Sequence, residues 1–320
     1  MNDGYVAGNF DWVGRVDGNN FDNLRWHQVV KKINIERDMP DKRGYCLVGF
    51  KSDLGVKRNF GRIGARQAPD AIRKYLSSMP WHFGNVGLYD AGDVVCESSL
   101  EKSQEILGNI VRNIMNKGLF PIVIGGGHES AFGSIRGVYE KLKKMPSIIN
   151  FDAHFDMRDY SKGATSGTSF KQIADICTQN KEVFKYLCVG IQKSANTIEL
   201  FNTAAQYKAK WVDMDMIRFN EKSAVKIVDE FVNNSENIHL SICMDVFAQS
   251  VAIGVSAPQP FGLSIENFLK FFYYIAATGK IVSFDIAEVS PALDINNQTS
   301  ALAAHIIFRL IDKTVLKLNL

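Results

Sequence analysis

With 320 residues, 46% of them hydrophobic, the chain is long enough to bury a large core as one α/β domain or to divide into two. A net charge of only +3, with no block of lysines or arginines, argues against a nucleic-acid partner. No stretch approaches the roughly 20 apolar residues needed to cross a bilayer, so no membrane association is expected.

In chain order, residues 1–40 are polar and irregular, with Asp17-Gly18-Asn19-Asn20 and Asp38-Met39-Pro40. They read as an N-terminal surface extension around Trp26 and His27 that could serve an oligomer contact. Beyond them, short β-rich runs alternate with helical periodicity, the pattern of parallel strands joined by helical crossovers. Strands are expected at 45–50, 85–90, 120–125, 147–152, 186–191, 211–214, 239–245 and 280–285. Helices are expected at 69–77, 100–116, 130–143, 196–208, 221–233, 264–278 and 298–317. Pro69 suits a first helical turn, and Ser264 with Asn267 offers a cap. No solenoid repeat, low-complexity tract or linker interrupts the chain, so residues 1–320 are expected to form a single domain. Five scattered cysteines without a Cys-x-x-Cys pair, and no basic-then-apolar leader, suit a cytoplasmic location.

Four strand ends carry the chemistry. The strand at 120–125 runs into Gly125-Gly126-Gly127-His128-Glu129-Ser130. A glycine cluster between strand and helix could cradle a phosphate, but Ser130 stands where the third glycine of Gly-x-Gly-x-x-Gly belongs, and a Walker lysine is missing. His128 therefore reads better as a ligand carried to the sheet edge on a tight turn than as a capping histidine.

The next strand delivers Asn150-Phe151-Asp152-Ala153-His154-Phe155-Asp156. In extended backbone, residues i, i+2 and i+4 share a side, so Asp152, His154 and Asp156 can converge while Ala153 and Phe155 face away. Carboxylates with imidazole and no thiolate suit a divalent ion such as Mn²⁺ ahead of Zn²⁺, Fe²⁺ or Co²⁺; a solvated strand end would show the same spacing without one. Arg158 either holds a substrate carboxylate through a bidentate pair or is a surface arginine. In His239-Leu240-Ser241-Ile242-Cys243-Met244-Asp245, alternation presents Ser241, Cys243 and Asp245 together. Asp245 is the candidate ligand, and Cys243 is either a neighbour of the metal or a small core residue. The last strand runs into Ala287-Glu288-Val289-Ser290-Pro291, where Glu288 could hold a cationic substrate group. Ligands of open parallel sheets collect beyond the carboxyl ends of the strands, and all four motifs sit there. His27, His82, His239 and His305 lack partners at ligand spacing and read as structural.

Taken in order, Gly125 to His128, Asp152 to Asp156, Ser241 to Asp245 with Gly254-Val255-Ser256-Ala257-Pro258, and Ala287 to Pro291 resemble the ureohydrolase superfamily of arginases, agmatinases and formimidoylglutamases. The last is the nearest branch. The resemblance also takes in Gly61-Arg62-Ile63-Gly64-Ala65-Arg66 and Ala68-Pro69-Asp70-Ala71-Ile72-Arg73. It implies a three-layer α/β sandwich with a mainly parallel eight-stranded sheet, and homo-oligomeric assembly. It implies two manganese ions held by His128, Asp152, His154, Asp156 and Asp245, which activate hydroxide. The reaction so implied converts a small amidine, N-formimidoyl-L-glutamate, to L-glutamate and formamide in histidine breakdown. Asp156 would then relay a proton to the leaving nitrogen, and Glu288 would pair with the substrate's cationic end.

Departures from the pattern narrow the reading. Phe170 stands where arginases carry a histidine, and Arg158 argues against agmatine, which has no carboxylate. The run Thr165-Ser166-Gly167-Thr168-Ser169-Phe170 is similar to formimidoylglutamases. Cys243 stands where most of the superfamily has a bridging aspartate, so it is itself a candidate ligand and the second metal site is expected to be weaker or asymmetric. Ile253 replaces a proline of that branch, with altered loop stiffness expected. Ser166, Gln192 and Asn196 are candidates for binding the glutamyl end of the substrate. The alternatives are another ureohydrolase, such as guanidinobutyrase or agmatinase, and a catalytically silent metal-binding homologue.

Overall fold

Most strands of this protein are apolar on both faces, as a parallel sheet covered on both sides requires. The computed structural model describes residues 4–318. Its strands are β1 (Gly4–Val6), β2 (Lys31–Lys32), β3 (Gly44–Lys51), β4 (Gly87–Val95), β5 (Leu119–Ile124), β6 (Ser147–Phe151), β7 (Tyr186–Ile191), β8 (Lys210–Asp213), β9 (Ile238–Cys243) and β10 (Ile281–Ala287). They form one sheet in the order β1-β4-β3-β5-β10-β9-β6-β7-β8, with β2 also on β4. Every pairing is parallel except β1 with β4.

Strand alternation divides the core into layers. Tyr45, Leu47, Ile149, Phe151, Leu240, Ile242, Phe284 and Ile286 enter one apolar cluster, which is closed by residues of helices Ala68–Ser78, Glu221–Asn233, Ile265–Ala277 and Gln298–Leu318. The intervening residues face the other side. There, Cys46, Val48 and Val123 pack with helix Leu100–Asn116, and Ile148 and Cys188 pack with Ser130–Leu142 and Ser169–Asn180. The result is the expected three-layer α/β sandwich around a mainly parallel sheet. Between the two clusters of that second face runs a row of polar residues on β10, β9 and β6.

Several elements differ from expectation. The eight expected strands are present as β3 to β10, and the described N-terminal residues add two more. Trp26 is not at a surface: it is 0% exposed and packs edge-on against Trp81 at 5.7 Å and Phe83 at 6.4 Å. It is therefore closed to an oligomer contact. The strand β4 runs on to Val95, past its expected end at Asp90 and through a second aspartate, Asp93. Helix Ser169–Asn180 was not expected, although Phe170, Ile173, Ala174 and Cys177 recur at helical spacing and are buried.

The aspartates of β4 are stabilised by Arg73, which is itself 0% exposed. Its Nη1 donates to Asp93 at 2.6 Å and its Nη2 to Asp90 at 2.8 Å. The remaining carboxylate oxygens accept from Asn9 Nδ2 at 2.7 Å and Trp12 Nε1 at 2.8 Å, and Lys51 Nζ lies 3.1 Å from Asp93, so the N-terminal segment and the end of β3 complete the group. Removing one partner from a buried pair leaves charge without compensation. Arg73→Ala is expected to lower unfolding free energy by about 3–5 kcal/mol. Urea titration measures this, and a loss below about 1 kcal/mol would mean that Asp90 and Asp93 do not depend on the guanidinium.

Candidate metal centre

The four motifs meet at the carboxyl ends of β5, β6, β9 and β10. After β5, Gly126 passes so close to the Ser52 carbonyl that a Cβ would lie 1.8 Å from its oxygen, so only glycine permits this turn. The turn delivers His128, 1% exposed, whose backbone N–H donates to Glu288 Oε1 at 2.8 Å. Glu288 adopts φ 66°, an uncommon conformation for a side chain of this size. It is held there by its own N–H on the Gly126 carbonyl at 2.8 Å.

The strand β6 ends at Phe151, one residue before the ligand motif, so the expected extended alternation is absent. The side chain of Asp152 accepts from His154 N–H at 2.7 Å, which bends the chain. Asp156 adopts φ 48°, in a region that aspartate tolerates better than most residues. The three side chains still converge, through a turn in place of strand geometry. Asn196 secures that turn by accepting from Phe155 N–H at 3.1 Å and donating to the Ala153 carbonyl at 2.8 Å.

The donor atoms stand at the mutual separations of ligands. His128 Nδ1 lies 3.0 Å from Asp152 Oδ2 and 2.9 Å from Asp156 Oδ2, yet is aligned for a hydrogen bond with neither. His154 Nδ1 lies 3.4 Å from Asp152 Oδ1 and 3.2 Å from Asp245 Oδ2. Asp152 thus offers one oxygen to each imidazole. Asp245 Oδ1 is buried without a partner. Metal bonds of about 2.1 Å put neighbouring octahedral ligands about 3 Å apart. Two groups of donors, His128 with Asp152 and Cys243, and Asp152 with His154 and Asp245, each lie within 4.8 Å of one another. These residues fit a pair of divalent cations that share Asp152, with Cys243 on the His128 side.

The electrostatics agree. Burial opposes charge on His128, but Asp152 and Asp156 outweigh it and raise its pKa well above the imidazole range. Burial is likewise outweighed at His154, by Asp245 and Asp152. Burial works to raise Asp152, but both imidazoles hold it below the usual carboxylate range. Burial and the charge of Asp152 push Asp156 up to about 6. Burial raises Cys243 and Glu288 well above their ordinary values, and neighbouring acids add to both shifts. Bound cations would reverse this crowding of acids.

Beneath the donors, the polar row fixes their orientation. Asp285, Ser241, Asn150 and Cys188 are register neighbours across β10, β9, β6 and β7. The Ser241 hydroxyl donates to Asp285 Oδ1 at 2.5 Å, so it must accept from His128 Nε2, 2.9 Å away. A neutral His128 therefore keeps its proton on Nε2 and presents the Nδ1 lone pair to the carboxylates. Asp285 Oδ2 is 2.6 Å from His239 Nε2, and His239 Nδ1 is 2.7 Å from Ser283 Oγ, which completes the chain of bonds. Phe170 lies edge-on to His128 at 5.4 Å and stacks on Tyr186 at 4.5 Å.

A cavity of about 360 Å³ opens above these groups, lined by His128, His154, Asp156, Cys243, Asp245 and Glu288, with Arg158 and Ser166 on its wall. Asp152 lies beneath it, 0% exposed. Gln192 and Asn196 are not on that wall: their side-chain amides are spent on backbone carbonyls. Asn59, Arg62, Leu200 and Ser256 also line the cavity and were not singled out as binding residues from sequence.

The fold and this set of donors define a class of α/β protein with an acid-rich, cation-demanding pocket at the carboxyl edge of a parallel sheet. Residues 43–312 match the model of the arginase family, and the chain belongs to that family. It is 43% identical over 315 residues to the formimidoylglutamase of Clostridium tetani (strain Massachusetts / E88), covering 94% of this chain and 93% of that one. It is 41% identical over 300 residues to the formimidoylglutamase of Geobacillus sp. (strain WCH70), covering 92% and 91%. Among solved structures, it resembles the formimidoylglutamase of Bacillus subtilis at a TM-score of 0.81 and 25% identity, covering 95% of this chain and 97% of that one. It also resembles the Trypanosoma cruzi formiminoglutamase solved with Mn²⁺, at a TM-score of 0.77 and 25% identity, covering 85% and 94%.

Two measurements follow from the site. Ser241→Ala removes the acceptor that orients His128, and is expected to weaken divalent-ion affinity about 10- to 100-fold in calorimetric titration; unchanged affinity would rule out the orienting role. Both imidazoles hold protons above their usual range until a cation displaces them, so binding should release protons and weaken as pH falls. Titrations in buffers of different ionisation enthalpy report the sign, and net uptake would contradict the assignment.

Proposed function

We propose that this chain is a manganese-dependent formimidoylglutamase, hydrolysing N-formimidoyl-L-glutamate to L-glutamate and formamide. The observation that carries the reading is Asp152, which turns one carboxylate oxygen toward each of two imidazoles at the floor of a single cavity. Near-full-length similarity to proteins named formimidoylglutamase supports the substrate.

Two divalent ions held by His128, Asp152, His154, Asp156 and Asp245, with Cys243 beside the first, would lower the pKa of water and supply hydroxide at neutral pH. The protein's own groups do the rest. Glu288 has one oxygen fixed by the His128 N–H, so the other is free to accept from the amidine N–H and to hold the formimidoyl group in place. Asp156, on the cavity wall, carries the proton from the attacking water to the glutamate nitrogen as the C–N bond breaks. Arg158 holds the α-carboxylate of the substrate. The hydroxyl of Ser166 accepts from Asn59 at 3.2 Å and keeps its own hydrogen for the glutamyl portion.

A cytoplasmic location belongs to the same reading, supported by five buried cysteines free of disulfides. So does assembly with further copies, for which exposed Phe219, Ile198 and Phe261 offer apolar surface. No helix among the described residues is long and apolar enough to cross a membrane.

One residue favours a second reading. A thiolate at Cys243 disfavours Mn²⁺ relative to carboxylate, which would suit a silent metal-binding homologue. Metal-stripped protein reloaded with Mn²⁺ should release glutamate from N-formimidoyl-L-glutamate and leave arginine, agmatine and guanidinobutyrate intact. Silence on all four would favour the homologue without activity, and cleavage of another amidine alone would replace the substrate. Glu288→Gln is expected to cut kcat/KM at least about 100-fold while leaving the circular dichroism spectrum unchanged.

A further inference from the structure

The cavity is electrically divided. Its inner groups are acids and imidazoles, while its wall carries two guanidiniums, Arg158 and Arg62. Neither arginine has a carboxylate partner among the described residues, unlike Arg25, Arg58, Arg66 and Arg73. Arg62 is nonetheless fixed. Its backbone N–H donates to Ser256 Oγ at 2.8 Å, its Nε to the Ser256 carbonyl at 2.9 Å and its Nη2 to the Val255 carbonyl at 2.8 Å. These acceptors hold the guanidinium without neutralising it, and Nη1 remains uncommitted.

The loops of the two arginines meet. A Cβ at Gly167 would lie 3.0 Å from Arg158 Cδ and 3.1 Å from Asn59 Nδ2, so the segments that carry Arg158 and Arg62 converge over this glycine. Asn59 also donates to Ser166 Oγ at 3.2 Å across the same junction. The wall is thus a composite of residues 59–62, 158–167 and 255–257, with two unneutralised cations.

N-formimidoyl-L-glutamate carries two carboxylates. The α-carboxylate is attached to the carbon that bears the reacting nitrogen, and the side-chain carboxylate lies two methylenes farther out. Arg158 stands two residues from Asp156 and is suited to the first. We propose that Arg62 is a specificity-determining residue that binds the side-chain carboxylate of the substrate, so that two arginines read two carboxylates. This rests on the formimidoylglutamase reading of the site. A guanidinium pre-set by backbone carbonyls binds without losing side-chain freedom at that moment, and its free N–H edge suits a carboxylate.

The test compares three substrates: N-formimidoyl-L-glutamate, N-formimidoyl-L-glutamine with a neutral side chain of the same length, and 4-(formimidoylamino)butanoate without the α-carboxylate. Arg62→Ala should lower kcat/KM about 10- to 100-fold on the glutamate and butanoate compounds, and less than about threefold on the glutamine compound. Arg158→Ala should spare the butanoate compound instead. Arg62→Lys keeps the charge and should recover part of the loss. An equal fall on all three substrates for Arg62→Ala would reduce Arg62 to a strut of the 255–256 loop and overturn the proposal. So would wild-type enzyme that cleaves the glutamine compound as well as the glutamate one, with the formimidoylglutamase reading intact. Failure of wild-type enzyme on all three would instead remove that reading, and the clamp with it.

Discussion

A low-dielectric pocket cannot hold several carboxylates at once unless positive charge is brought among them. This constraint organises the molecule. Asp152, Asp156, Asp245 and Glu288 gather around two imidazoles, and the surroundings are arranged so that the donors cannot turn away from one another. Two of the donors are fixed by several neighbours: Ser241 accepts from His128, while Asn150 and the His154 N–H each donate to one oxygen of Asp152. Beneath them His239, Ser241, Ser283 and Asp285 are hydrogen-bonded to one another in the polar row of β10 and β9, and that row separates the two apolar clusters on its face of the sheet.

The opposite end of the sheet solves a smaller version of the same problem by another means. Asp90 and Asp93 are neutralised from within by Arg73, with Lys51 beside Asp93, and their remaining oxygens accept from Asn9 and Trp12. The N-terminal segment is thereby tied to β4, where β1 and β2 also pair, and an otherwise open sheet edge is covered. A permanent internal cation serves structure there, whereas the metal centre leaves its positive charge to be supplied.

The fold was largely legible because a parallel sheet repeats one local pattern, an apolar run followed by a polar loop and a helix. The ligand motifs were legible because chemistry concentrates at the carboxyl ends of such strands. What stayed hidden depends on distant partners. Trp26 looks like a lone aromatic in a polar stretch until it meets Trp81, Phe83 and Phe308. The role of Arg62 is set by carbonyls 193 and 194 positions away. The His239 to Asp285 contact follows from strand register, which sequence does not reveal. Helix Ser169–Asn180 is a different case, since its apolar period was present and its polar, glycine-containing approach concealed it.

The bond from the His128 N–H to Glu288 Oε1 joins two jobs on one rigid linkage. The residue that would grip the substrate's amidine is braced by the backbone of a residue that would grip metal, and it is held in a strained conformation by the same turn. Any displacement of one is felt by the other. By thermodynamic reciprocity, whatever factor metal occupancy contributes to substrate affinity, substrate must return to metal affinity. To the extent that bound cations favour the amidine, a site built this way would hold its cations more tightly while substrate is present.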